Sequence, residues 1–179
     1  GLALLSLGSN IEPAAHLVAA AQTLRQHFPQ VRFSPVYRYA AVGFDGPDFL
    51  NAAAALETEL PPQVLNDWLH ALEDSQGRRR DVPRFSSRTL DIDLVFYDDL
   101  VCTGAGHLHS GHVHDHAGPT RPELRHAFVL QPLAALVPEF VDPLSGRTLA
   151  QLWRAHPDHA HPAAPDPVAL QPPLVRSEA

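Results

Sequence analysis

Residues 89–97 read Thr-Leu-Asp-Ile-Asp-Leu-Val-Phe-Tyr, and this stretch decides the fold. Every second residue in its centre is large and apolar, which predicts a strand with one buried face. The apolar residues expected to share that face are Leu90, Ile92, Leu94 and Phe96. Asp91 and Asp93 are expected side by side on the other face. The stretch is therefore predicted to be a strand that carries two acids on one surface.

The segments before this strand alternate between strand and helix patterns. Residues 2–7 are a short apolar run, and residues 13–28 then repeat apolar side chains at helical spacing. Strand-like patterns follow at 31–37 and 49–58, and a second helical pattern covers 62–76. The order β-α-β-β-α-β predicts an α+β fold, a ferredoxin-like antiparallel sheet with flanking helices on one face.

The rest of the chain is predicted to hold two helices, an insertion and a tail. Helical patterns occur at 127–136 and in a short stretch that Thr148 can cap. Residues 104–119 are rich in Gly and His without periodicity, which predicts a surface insertion. Residues 156–179 are rich in Pro, Ala and His, which predicts an irregular or mobile tail. The predicted organisation is one domain over 1–155, followed by this tail.

The composition excludes several classes of function. The chain has 179 residues, a formal net charge of −7 and 13 cationic side chains, all of them arginine. Without lysine, neither a P-loop nor a Schiff-base mechanism is possible. The acidic balance argues against nucleic acid or a membrane surface as the main partner, and no apolar run is long enough to span a membrane. The single cysteine, Cys102, excludes an internal disulfide and predicts a reducing, cytoplasmic location.

Asp91 and Asp93 are the strongest candidates for chemistry. Two carboxylates on one strand face repel each other unless a cation lies between them. Carboxylate oxygens suit Mg²⁺, which also takes oxygens from a substrate phosphate. Nearby guanidinium groups could bind the phosphates in a forked geometry. The arginines that precede the acids are Arg78, Arg79, Arg80, Arg84 and Arg88. The alternative is a solvated pair of acids beside a solvated basic loop, and we favour a polyphosphate site.

Phe49 and Asn51 form a second pair on one strand face. The ring could stack on a flat heterocycle, and the amide could bind the donors and acceptors at its edge. Taken alone, such a pair is more typical of a half-buried aromatic residue beside an asparagine at a loop edge.

Five motifs follow one another between residues 2 and 153. They are Leu7-Gly-Ser-Asn10, Asp48-Phe-Leu-Asn51, Glu73 with Gln76-Gly-Arg-Arg-Arg80, Arg88-Thr-Leu-Asp-Ile-Asp93, and Ala127-Phe-Val-Leu-Gln-Pro-Leu133. Their order resembles that of the 6-hydroxymethyl-7,8-dihydropterin pyrophosphokinase (HPPK) family. The resemblance implies an HPPK-type fold and transfer of pyrophosphate from ATP to the hydroxymethyl group of 6-hydroxymethyl-7,8-dihydropterin, with release of AMP, in folate biosynthesis. ATP and the pterin would be the partners of a monomer.

The resemblance also implies roles for individual residues. Asp91 and Asp93 would hold two Mg²⁺ ions that arrive with ATP, and Arg78 and Arg88 would act with them in catalysis. The pterin-binding residues would be Tyr39, Ala40, Val42, Phe49, Asn51 and Phe128. The nucleotide-binding residues would be Glu73, Arg78, Arg80, Arg84, Arg88, Leu94, Arg121 and Arg125.

Some segments depart from the family pattern. Phe85-Ser-Ser87 stands where the family usually has Trp-Gly-Pro, and Thr120-Arg-Pro122 stands where it has Pro-His-Pro. His126 occupies a position that is usually arginine, so Arg121 and Arg125 are expected to supply phosphate contacts instead.

The resemblance does not explain the histidines of the insertion, which are His107, His109, His112, His114 and His116. Alternating histidines can bind Zn²⁺ or Ni²⁺, but without a frame of carboxylates or cysteines a solvated loop is the favoured interpretation. A metal-binding module without enzymatic activity is the second hypothesis for the chain. A third, an RNA-binding sheet, would need basic and aromatic residues on the face where Asp91 and Asp93 lie.

Overall fold

One antiparallel sheet organises the computed structural model, which describes residues 1–77, 87–102, 108–110 and 122–171. The strands in these residues are β1 (Leu2–Ser9), β2 (Arg32–Phe33), β3 (Tyr37–Tyr39), β4 (Phe49–Glu57), β5 (Asp91–Tyr97), β6 (Leu100–Cys102) and β7 (Leu108–Ser110). The α-helices are α1 (Pro13–His27), α2 (Pro62–Ser75), α3 (Ala127–Leu136) and α4 (Leu149–Ala155). Short 3-10 turns lie at Pro122–Arg125 and Pro157–Ala160.

The strand order in the sheet is β2-β4-β1-β5-β6-β7, and β3 also pairs with β4. The pairs are antiparallel, which confirms the predicted antiparallel sheet. Helix α2 connects β4 and β5, which are not neighbours because β1 lies between them. Helix α1 connects β1 and β2, which are not neighbours because β4 lies between them. This is the split β-α-β arrangement that the order of elements predicted.

Local sequence signals set the ends of the helices. Pro13 and Pro62 are each the first helical residue, where a missing N–H costs no helical hydrogen bond. After α2, Gly77 has a φ of 81°, a left-handed conformation that glycine adopts without steric cost. Thr148 caps α4 by accepting from Gln151 N at 3.1 Å, while the Gln151 side chain accepts from Thr148 N at 2.9 Å. The helices predicted at these positions are confirmed.

Helices cover both faces of the sheet, and the prediction of helices on one face was wrong. α1 and α2 pack on one face, over side chains that include Leu5 and Leu7. α3 and α4 pack on the other, over Leu4, Ala53 and Ala55. β1 and β4 are apolar on both faces over most of their length. Each face of the sheet must therefore be packed against helices, which bury its apolar side chains away from water.

β5 contains a β-bulge opposite β1, which moves Phe96 to the other face of the sheet. Leu4 pairs with Phe96 and Leu5 with Leu94, so Val95 is the extra residue. An inserted residue shifts the side chains after it to the opposite face. Phe96 accordingly packs in the α3–α4 core, whereas Leu94 packs in the α1–α2 core. The prediction that the two residues share a face was wrong for this reason.

The predicted insertion, residues 104–119, lies largely outside the described residues. Within it, β7 pairs with β6 through Cys102↔Leu108 and Leu100↔Ser110. His109 is in this strand, and the other histidines of the insertion lie outside the described residues. The strand arises from pairing with β6, a contact that the periodicity of the sequence does not reveal.

Residues 156–171 begin with the 3-10 turn Pro157–Ala160, and several of the residues after it are packed against the sheet and its core. Asp166 N donates to Val36 O at 2.7 Å, and Pro165 forms a bridge with Tyr37. Leu170 is 3% exposed and belongs to the α1–α2 core. The packing therefore extends past the predicted boundary at residue 155, at least as far as residue 170.

Candidate active site

Residues from four strands form one row across the sheet. Tyr37 pairs with Asn51, Asn51 with Gly8, and Gly8 with Asp91. Opposed residues of antiparallel strands project to the same face, so this row lies on the α3–α4 side, together with Asp93. Neighbouring strands are about 4.8 Å apart, which places Asn51 about 10 Å from Asp91. The aromatic–amide pair and the acid pair, which were predicted separately, therefore share one face.

Asp91 and Asp93 are both partly buried on this face. Two carboxylates on one face of a strand can together contribute oxygen ligands to a cation. Within the described ranges no group of three or more His, Cys, Asp and Glu side chains could hold a metal ion, so the pair offers a cation only part of its ligands. Mg²⁺ fits such a pair, because it retains several waters and takes phosphate oxygens beside one or two carboxylates.

Asn51 presents a buried polar atom that has no partner. The residue is 5% exposed, and Nδ2 donates to Leu7 O at 3.4 Å. No described residue donates to Oδ1, although that oxygen is buried. A buried acceptor without a donor is costly, so Oδ1 is suited to an N–H group of a ligand. Gly8 leaves room for this amide, since a Cβ at position 8 would lie 2.7 Å from Asn51 Nδ2.

Tyr39 lies between the two aromatic residues that are predicted to stack on a ligand. It pairs in register with Phe49, and its ring meets the Phe128 ring edge-on at 6.3 Å. Its hydroxyl donates to the side chain of Gln131 on α3. Burial is the main cause that raises the pKa of the Tyr39 hydroxyl, so the group remains a neutral donor. Tyr39 thereby links the strand of Phe49 to the helix of Phe128.

Both predicted stacking residues have a second aromatic neighbour. The ring of His126 stacks on Phe128, with centroids 4.7 Å apart and planes 18° from parallel. The ring of Phe44 meets Phe49 edge-on at 6.3 Å. Burial, followed by the nearby Arg125, lowers the pKa of His126, so its ring is neutral at neutral pH.

Asn10 ties two loops to the end of β1. Its Oδ1 accepts from Arg88 N at 2.7 Å, and its Nδ2 donates to Pro47 O at 3.1 Å and to Ser87 Oγ at 3.2 Å. Asn10 N also donates to Arg88 O at 3.0 Å. The backbone of the buried Arg88 is therefore fixed just before β5, at the end of the sheet that carries Asp91.

Two residues predicted to line the nucleotide side, Glu73 and Leu94, do not project from the acid face of the sheet. Glu73 is 2% exposed on α2, and its carboxylate accepts from Ile92 N at 2.9 Å, which supports the backbone of β5 between the two acids. The Leu94 side chain packs in the α1–α2 core, so only its backbone remains for a ligand on the acid face. Arg125 is exposed at the end of a 3-10 turn.

The remaining predicted residues lie in loops. Ala40 and Val42 are exposed in the connection between β3 and β4. Four of the predicted arginines lie outside the described residues: Arg78, Arg80, Arg84 and Arg121.

Sequence reasoning missed the contributions of Gly8, Asn10 and Gln131. Each lies in a quoted motif, but none was assigned a role of its own. The available signal was a polar residue or glycine that interrupts an apolar element, such as Gly8 in β1 and Gln131 in α3. A buried polar side chain in such an element needs a partner, which is a reason to look for a site.

The comparisons with known proteins agree with this geometry. The sequence profile of the 7,8-dihydro-6-hydroxymethylpterin-pyrophosphokinase (HPPK) family matches residues 4–138. This chain belongs to the HPPK family. Two HPPK relatives are named 2-amino-4-hydroxy-6-hydroxymethyldihydropteridine pyrophosphokinase. The one from Pseudomonas aeruginosa is 37% identical over 157 residues, covering 86% of this chain and 90% of the relative. The one from Synechocystis is 36% identical over 154 residues, covering 84% and 73%.

A solved structure with the HPPK fold is similar over most of this chain. It is Plasmodium falciparum HPPK-DHPS with pteroate, which matches with a TM-score of 0.53 at 12% identity. The match covers 86% of this chain, which spans 42% of the length of that protein. At this identity the likeness shows the fold alone. The resemblance to HPPK that the motifs indicated is thus confirmed, while the roles of individual residues stay predictions.

Proposed function

We propose that this chain transfers pyrophosphate from ATP to the hydroxymethyl group of 6-hydroxymethyl-7,8-dihydropterin, giving AMP and the pterin diphosphate, in folate biosynthesis. The observation that carries the proposal is the row Asn51–Gly8–Asp91, since it brings the Asn51 amide and the acid pair to one face of the sheet. Membership of the HPPK family supports the same activity.

The pterin is proposed to bind at the Asn51 end of this row. A pterin ring carries N–H donors along its edge, and the partnerless Oδ1 of Asn51 can accept one of them. The rings of Phe49 and Phe128 are proposed to stack on its faces. Tyr39, Ala40 and Val42 complete this end, with backbone groups of the loop after β3 as the contacts.

The nucleotide is proposed to bind at the Asp91 end. Asp91 and Asp93 would hold two Mg²⁺ ions that arrive with ATP, and Mg²⁺ supplies charge neutralisation on the phosphate oxygens. Arg78 and Arg88 are the proposed catalytic cations. The further nucleotide contacts are proposed to come from Glu73, Arg80, Arg84, Arg121, Arg125 and the backbone of Leu94.

The chain's own contribution to the reaction is positioning. The pterin hydroxyl oxygen forms a bond to the β-phosphorus of ATP, the bond from that phosphorus to the α-phosphate oxygen breaks, and the hydroxyl proton passes to solvent. Because the substrate hydroxyl is the nucleophile, no side chain needs to act as one, in agreement with a chain that has one cysteine and no lysine. Asn51 and the acid pair, about 10 Å apart, would hold the two reactants in line for this step.

We further propose that the enzyme acts as a monomer in the cytoplasm, with ATP and the pterin as its partners. The single cysteine supports a reducing location, and the acidic balance of charge argues against nucleic acid as a partner. Within the part of the chain that the structure describes, no helix is long and apolar enough to cross a membrane.

The test is incubation with ATP, Mg²⁺ and 6-hydroxymethyl-7,8-dihydropterin, with AMP and ADP quantified separately. We expect AMP, because two phosphates leave together. Asp93→Asn should lower its formation by at least about a hundredfold, since half of the acid pair is lost. Asp67→Asn, the same change at an exposed position of α2, is the matched control and should leave turnover unchanged. Formation of ADP, or full turnover by Asp93→Asn, would contradict the proposal.

A further inference from the structure

Gln131 is a buried amide in α3 that connects three segments of the chain. Its side chain is 6% exposed. Oε1 accepts from the Tyr39 hydroxyl and from Ala163 N at 3.1 Å, and Nε2 donates to Ala163 O at 2.9 Å. With both ends bonded, the amide has one stable orientation. It therefore joins β3, α3 and the segment of residues 161–171, here called the C-terminal strap.

The C-terminal strap is itself attached to the sheet edge formed by β2 and β3. Asp166 N donates to Val36 O at 2.7 Å, and the Asp166 carboxylate forms an ion pair with Arg38 at 3.2 Å. The Gln171 side chain accepts from Phe33 N at 3.0 Å. These bonds make the strap a fixed partner for Gln131, because its backbone cannot move without breaking them.

The helical turn that carries Phe128 has a reason to need this support. Pro132 lies inside α3 and has no N–H to donate to the carbonyl of Phe128, four residues earlier. The turn therefore has one helical hydrogen bond fewer than a regular helix. Gln131 lies three residues after Phe128, on the same side of the helix. Its bonds to Tyr39 and Ala163 hold this turn from outside the helix.

We propose that Gln131 is a positioning residue that couples the C-terminal strap to the pterin side of the active site. By holding Tyr39 and the first turn of α3, it fixes the direction of the Phe128 ring toward the bound pterin. The identity of the ligand rests on the proposed function, whereas the coupling is a property of the ligand-free chain. The family match ends at residue 138 and does not include the strap.

Two variants test the coupling, and a third is the matched control. Gln131→Leu removes every polar contact of the amide, and Ala163→Pro removes one N–H donor to that amide without changing the Gln131 side chain. Gln26→Leu makes the same chemical change at an exposed position of α1. In the ligand-free protein, we expect amide hydrogen exchange in residues 127–131 to rise about fivefold or more in both test variants, and exchange in α1 to stay unchanged. The control should match the parent chain.

Steady-state kinetics then distinguishes positioning from general destabilisation. We expect the KM for the pterin to rise about five- to fiftyfold in both test variants, while the KM for ATP stays within about twofold. Unchanged exchange in residues 127–131 would overturn the coupling. An unchanged pterin KM, or equal rises in both KM values, would overturn the positioning role. A parent chain that forms no AMP would contradict the proposed function instead, and the exchange data would still decide the coupling.

Discussion

A Cβ atom at position 8 would lie 2.7 Å from Asn51 Nδ2 and 3.7 Å from Phe49 Cδ1. The second distance is an ordinary van der Waals contact, but the first is shorter than real Cβ contacts, so the Asn51 amide would have to move. Gly8 lies in the regular strand β1, so its backbone conformation does not require glycine. The requirement for glycine comes from the Asn51 amide, which extends from the neighbouring strand β4 toward Gly8 and whose buried Oδ1 has no donor from the described residues.

Gly8→Ala should therefore weaken pterin binding by displacing Asn51. We expect the KM for the pterin to rise about tenfold, the equivalent of one hydrogen bond lost in a buried site, and the KM for ATP to change by less than about twofold. The measurement is steady-state kinetics with each substrate varied in turn. In an Asn51→Ala background there is no amide to displace, so Gly8→Ala should add little to the effect of Asn51→Ala. Additive effects would show that Gly8 acts through another contact.

For helices and strands, the sequence predicts those features that depend on residues close together in the chain. The starts of α1 and α2 can be predicted from the sequence because Pro13 and Pro62 favour the first position of a helix through their own backbone geometry. The bulge in β5 cannot be predicted from the sequence of β5 alone, since it depends on how Leu94 and Phe96 pair with β1. The same limit applies to the site: the motif around Asp91 is local, whereas its alignment with Asn51 follows from the register of three strands.

The beginning of α3 is where the pH dependence of stability can be predicted. Burial, followed by Arg125, lowers the pKa of His126 in the folded chain. Below its ordinary value of about 6.5, the unfolded chain binds this proton more readily than the folded chain does. Stability from this residue is thus fully present above about pH 6.5 and is lost as the pH falls through the lowered pKa. Acidification consequently favours unfolding.

His126→Phe should reduce that dependence, because it retains an aromatic ring against Phe128 and removes the titrating group. We expect the loss of Tm between about pH 7.5 and about pH 5.5 to be smaller in the variant than in the parent chain. Thermal unfolding followed by circular dichroism at both pH values measures the difference. Identical losses in the two proteins would show that His126 titrates alike in the folded and unfolded chain.

For the whole molecule, the sheet has a core on each face, and residues 156–171 close one edge of it. Irregular segments rich in proline and alanine are typical of solvated tails, which is why composition alone misjudges this one. What changes the outcome is a set of long-range contacts, among them Asp166 with Val36 and Leu170 with the α1–α2 core. A segment that buries a leucine and forms backbone hydrogen bonds contributes to folding and is not an appendage.

Leu170 offers the sharpest test of this extended unit, because only a packed residue loses stability when it is shortened. We expect Leu170→Ala to lower the free energy of unfolding by about 2–5 kcal/mol, the usual cost for a buried leucine. Val141→Ala, at a position that is 51% exposed, is the control and should change it by no more than about 0.5 kcal/mol. Urea unfolding followed by fluorescence measures both. Equal, near-zero effects would mean that the chain beyond residue 155 does not belong to the folded unit. Ala163 would then not be held in place as a partner for Gln131.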